Sequence, residues 1–182
     1  MIRNPLAALL PVALALSGCG VLTAKLEAKT VCATLADYQL PGSDESGAID
    51  TDVTYDLGDS VPIVSDSGTA YDLKLQSVEL SLGSDSGLTD LGGLEAASVG
   101  ILAPPGTALP EPVLISYARG ADLHPTSIVV DSPTGLDLQP YVLSKTVSLH
   151  VHAAGTLPTQ PWHATMRACF ALEVTLDYGK KL

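Results

Sequence analysis

The stretch Trp162-His163-Ala164-Thr165-Met166-Arg167-Ala168-Cys169-Phe170-Ala171-Leu172-Glu173-Val174-Thr175-Leu176-Asp177-Tyr178 decides the fold class. Every even position is apolar, whereas the odd positions carry His163, Thr165, Arg167, Cys169, Glu173, Thr175 and Asp177 beside a single alanine, Ala171. Successive side chains of a strand point to opposite faces, so this period of two describes a strand with one buried face. Its length implies a strand that bends or runs the whole length of a sheet. Just upstream, Val147, Leu149 and Val151 share one phase and Ser148, His150 and His152 the other. Between the two runs, residues 153–161 contain Gly155, Pro158 and Pro161 and read as a hairpin loop.

Working outward, the same alternation recurs in short runs cut by Gly, Pro, Ser and Asp. Val31, Ala33 and Leu35 form one run, and Val53, Tyr55 and Leu57 another. Tyr71, Leu73 and Leu75 hold one phase, then Val78, Leu80 and Leu82 hold the opposite one. A slip of phase across Gln76 and Ser77 is what a β-bulge produces. Residues 99–101, 113–117 and 128–130 are shorter strand candidates. Helical periodicity is nearly absent; residues 22–29 could make two turns but are short enough to be a tether. Many short strands without intervening helices imply an antiparallel β-sandwich, and an immunoglobulin-like one is expected, although the Cys–Trp–Cys hallmark is missing.

The beginning of the chain has a different character. Arg3 is its only charge before Lys25, and residues 6–16 are apolar, interrupted by Pro11. That core is too short for a bilayer, which needs about 20 helical residues, and it has the parts of a secretory signal. Leu16-Ser17-Gly18-Cys19 resembles the lipobox of bacterial lipoproteins. The resemblance implies cleavage before Cys19, a diacylglycerol thioether on its sulfur, acylation (by palmitate, for example) of the new amino group, and anchorage to a membrane. Gly20 stands where such proteins carry an inner-membrane retention aspartate, which implies the outer membrane. The expected organisation is a signal peptide over 1–18, a lipid-anchored tether over 19–29 and a β-sandwich domain over 30–182.

Charge and cysteine usage bound the partners. The chain has 9 basic and 20 acidic side chains, a formal net charge of −11, and loses Arg3 with its signal. Such a body repels nucleic acid and anionic surfaces, so no nucleic-acid partner is expected. Of three cysteines, Cys19 takes the lipid, leaving Cys32 and Cys169. In an oxidising compartment an even remainder implies a disulfide. Both lie on the polar faces of their runs, so their pairing requires the first and last strands to be neighbours.

Candidate chemistry is sparse. Ser43–Gly47, Ser65-Asp66-Ser67-Gly68, Ser84-Asp85-Ser86-Gly87 and the segment from Asp131 to Leu138 echo one another and offer oxygens to calcium. Ser, Asp and Gly are equally the residues that build turns, and the spacing matches no calcium loop. The histidines are sharper. If the runs on either side of residues 153–161 form a hairpin in which His152 faces His163, then His150, His152 and His163 converge with transition-metal ligand geometry. No carboxylate stands near them in sequence to orient a ring. Ala96-Ala97-Ser98-Val99-Gly100 brushes the nucleophile-elbow pattern but lacks the helix that must follow it. No catalytic residue and no cofactor is therefore expected. Asp137-Leu138-Gln139-Pro140-Tyr141, followed by Gly155-Thr156-Leu157-Pro158, is similar to uncharacterised bacterial lipoproteins and implies no activity. The sequence thus points to a non-enzymatic, lipid-anchored binding or structural module of the envelope with an envelope-protein partner; the alternative is a periplasmic transition-metal binder using His150, His152 and His163.

Overall fold

A computed structural model describes residues 23–25, 29–58, 69–84 and 86–177. Cys19, the residues before it and Tyr178 lie outside the described residues. The alternating runs become nine strands: β1 (Thr23–Lys25), β2 (Lys29–Leu40), β3 (Ala48–Asp56), β4 (Thr69–Leu82), β5 (Leu94–Ile101), β6 (Val113–Ala118), β7 (Ser127–Asp131), β8 (Thr146–Gly155) and β9 (Trp162–Asp177). A 3-10 turn, Gln139–Tyr141, precedes β8. No helix among the described residues is long and apolar enough to cross a membrane.

Two antiparallel sheets pack face to face. In one, β9 lies between β4 and the β1/β2 pair, and β7 flanks β4; the other has the order β3-β8-β5-β6. The antiparallel β-sandwich is as the alternation implies, but its connectivity is not immunoglobulin-like. Of strands consecutive in sequence only β5 and β6 are hydrogen-bonded neighbours, and most other connections pass from one sheet to the other. This is the eight-strand, double-sheet order of a jelly roll, with β1 as a short addition. Alternation states which face of a strand is buried, and it is silent about which strand lies alongside.

β9 is the spine. Trp162, Ala164, Met166, Ala168, Phe170 and Leu172 are all buried, which turns its alternation directly into core. β4 runs beside it through a register break between Leu75 and Ser77, the bulge expected at Gln76. On the other side Cys32 lies directly opposite Cys169, with Cα atoms 4.1 Å apart, and the two form a disulfide. Past Leu172, β9 outruns β2, and Thr23–Lys25 pairs with its last residues. Part of the supposed tether is therefore extended sheet rather than helical turns, because the free backbone groups of β9 require partners.

The expected hairpin of β8 and β9 does not form. β8 has β3 and β5 on its two edges, and β9 has β2 and β4, so neither has an edge left for the other. Residues 156–161 instead cross between the sheets. One end of the sandwich is shut tight: Val53, Tyr55, Leu73, Ile101, Leu114, Leu138, Val147, Leu149 and Phe170 are at most 2% exposed.

Candidate functional site

The opposite end of the sandwich is where the loops following β2, β4, β6 and β8 meet. Their backbones are laced together: Ser43 N–H donates to Pro158 O, Leu91 N–H to Pro125 O, and Thr156 N–H to Gly93 O. Beneath them the two sheets do not close. Val78 and Leu80 of β4, Val130 of β7, Ala97 of β5, and Val151 and Ala153 of β8 point between the sheets yet remain only partly buried. They line an apolar cavity of about 120 Å³, whose deeper wall includes Tyr55, Val99 and Leu149. Trp162 forms part of the wall, and its buried indole N–H has no hydrogen-bond partner among the described residues. Burial pushes the Tyr55 phenol well above its ordinary range, with the nearby Tyr38 phenol adding to the shift. That hydroxyl stays protonated and uncharged.

Asp90 is the one acidic side chain among the described residues that line the cavity. The Gly92 backbone N–H, and then the His124 ring, hold its carboxyl below the usual carboxylate range. His124 Nδ1 lies 2.9 Å from Asp90 Oδ2, tying the loop after β6 to the loop after β4.

The three histidines singled out from the sequence are not brought together. His150 and His152 project from the outer face of β8, whereas His163 belongs to β9 in the other sheet. Among the described residues no group of three or more His, Cys, Asp or Glu side chains is placed to hold a metal ion. What the structure adds is a carboxylate for every ring. His150 Nδ1 is 2.7 Å from Asp52 Oδ1, and His152 Nδ1 is 2.9 Å from Asp50 Oδ1. Asp50 Oδ1 is also 3.4 Å from His150 Nε2, which makes a continuous ladder across the β3–β8 pair. The Asp52 hydrogen bond, followed by the charges of Asp52 and Asp50, raises the His150 pKa above its ordinary value. His163 Nδ1 is 3.0 Å from Asp37 Oδ1. Asp37 sits at the register break of β2 with φ of +52°, a conformation that Asp tolerates and that turns its side chain toward β9.

These partners were missed because they lie about a hundred residues away in sequence. A signal was present: Asp50 and Asp52 share a phase and a two-residue spacing that mirrors His152 and His150. The remaining candidates resolve simply. Asp44 in the first Asp-rich segment and Asp137 in the last accept backbone N–H groups two residues on, as do Asp56 and Asp122, so these are turns built by side-chain acceptors; residues 65–68 and Asp85 lie outside the described residues. Ser98 lies in the middle of β5, with no helix following.

No family model matches the chain, and no curated protein matches its sequence. Among solved structures it is similar to that of infectious bursal disease virus Gx strain, with 15% identity over 85% of this chain and 33% of that one, at a TM-score of 0.36. This chain thus spans about a third of that chain's length. Desmodium yellow mottle tymovirus has 14% identity over 96% of this chain and 95% of its own, at 0.34. The decameric BFDV capsid protein has 11% identity over 82% of this chain and 99% of its own, at 0.36. None of these likenesses bears on function.

Proposed function

We propose that this chain is a lipid-anchored protein of the outer membrane, held by Cys19, whose sandwich acts as a binding module. The first nineteen residues support the anchor: a single positive charge, a short apolar core and Leu16-Ser17-Gly18-Cys19. The observation that carries the binding role is the open apolar cavity at the loop end. A sandwich selected only for stability buries its inward side chains, because each square ångström of apolar surface left to water forfeits about 25 cal/mol. Here that surface is left open at one end and closed at the other. A cavity with mostly apolar walls and few polar groups is the ordinary form of a small-molecule site.

Intact mass on protein extracted from fractionated host membranes tests the anchor. The expected mass is that of Cys19 to Leu182 plus lipid, two hydrogens below the reduced chain. A lipid-free mass from the soluble fraction overturns the anchor. An apolar dye that brightens in dry surroundings tests the cavity, and failure to bind it saturably overturns the binding role.

A further inference from the structure

We propose that the cavity takes the hydrocarbon chain of an uncharged, single-chain amphiphile, such as a long-chain alcohol or a monoacylglycerol. This rests on the reading of the sandwich as a binding module. Size sets the first limit. A cavity of about 120 Å³ compares with the roughly 150 Å³ engineered cavity that stays dry and admits benzene. By that measure it encloses only the terminal few carbons of one chain, the rest of the tail lying in the open mouth, and it has no room for two chains side by side.

Charge sets the second limit. Among the described residues no Lys, Arg or His side chain lines the cavity, and Asp90 is the charged side chain in its lining; His124, bound to Asp90, and Arg119, bound to Leu94 O, stand outside it. A carboxylate or phosphate head would meet Asp90 in a chain whose full sequence has a net charge of −11, with no cation in the described lining to offset it. A hydroxyl or ester head avoids that repulsion while its tail covers Val78, Val130, Val151 and Ala153.

The occupant is not the protein's own anchor. β1 pairs with the far end of β9, where Thr23 lies opposite Asp177, and the cavity sits by Trp162 at the near end. Those ends of β9 are about 50 Å apart at 3.3 Å per residue. Four residues from Cys19 to Thr23 reach about 14 Å, and an acyl chain spanning half a bilayer core adds about 15 Å. The protein's own anchor therefore falls short of the cavity, and a separate molecule must fill it.

Trp162 is the chain's one tryptophan and stands in the cavity wall, so intrinsic fluorescence reads occupancy directly. The test uses the body exported behind a cleavable signal in place of residues 1–19, which keeps every described strand and needs no detergent. Dodecanol and monolauroylglycerol are expected to change Trp162 emission saturably and to displace the apolar dye one for one. Laurate is expected to bind at least about tenfold more weakly, with Asp90→Asn narrowing that gap. Ala153→Phe, checked for native circular dichroism, should lower neutral-ligand affinity by a similar factor; the laurate comparison needs no variant at all. Dye binding without displacement by either neutral amphiphile overturns the ligand assignment and leaves the binding role standing. Laurate binding as tightly as dodecanol overturns the neutral-head assignment. Absence of both dye and amphiphile binding overturns the two together.

Discussion

His150 and Asp52 meet across β3 and β8, and this contact couples the outer face of that sheet to pH. The carboxylates raise the His150 pKa above the ordinary 6.5, so protonation is favoured more in the folded than in the unfolded chain. The contribution is full below about 6.5 and is lost as pH rises through the elevated folded value. The ring is nearly half exposed, which keeps the pair below about 1 kcal/mol. We therefore expect the melting temperature to fall slightly as pH rises from 6.5 toward 8, and His150→Asn to remove that slope. An unchanged slope in the variant, measured by thermal melts across that window, would assign it elsewhere. At this scale the sequence was only half legible. Polar faces put His150 and His152 outside correctly, but the carboxylates that hold them come from a strand whose register alternation does not encode.

Elements were the most legible level. The even-numbered apolar residues of β9 from Trp162 to Leu172 are its buried face, and the change of phase at Gln76 is a bulge, because side-chain period and backbone pleat are the same physical fact. Connectivity was not legible. A hairpin and an arch between sheets show the same alternation on both limbs, and Gly155, Pro158 and Pro161 suit either. Gly155 shows what the arch demands. It has φ of +148°, and a Cβ there would stand 2.2 Å from Gly93 O, where β8 passes the start of β5. Gly155→Ala is expected to destabilise the domain by more than about 1 kcal/mol. Equilibrium urea unfolding checks this, and a variant unfolding at the wild-type midpoint would show that the arch relaxes freely. Because that glycine sits where the loops meet, the same variant should also weaken dye binding.

For the whole molecule, the sandwich is polarised: a tight core at the β1 end of β9, a cavity beneath the loops at the other. Inward-facing Val151 and Ala153 continue the phase of Val147 and Leu149, so nothing in the pattern distinguishes a wall that is covered from one left open. That difference arises from how far apart the sheets stand, a property of the assembled fold. The disulfide belongs to this scale too, since it joins residues 137 apart. Cys32→Ser with Cys169→Ser is expected to cost about 2–5 kcal/mol, read as a lower urea midpoint than wild type. An unchanged midpoint would mean that the denatured chain is already compact across that span.

If the body is held at Cys19 as proposed, the same bond has a mechanical meaning. A pull applied there would first peel β1 from β9 and then the start of β2. At Cys32 the load passes through sulfur into the central strand, so the 137-residue loop is bypassed. Between its two ends the oxidised protein is a short, nearly inextensible link. Reduction would let out a further ~490 Å of chain at about 3.6 Å per residue, turning a rivet into a rope.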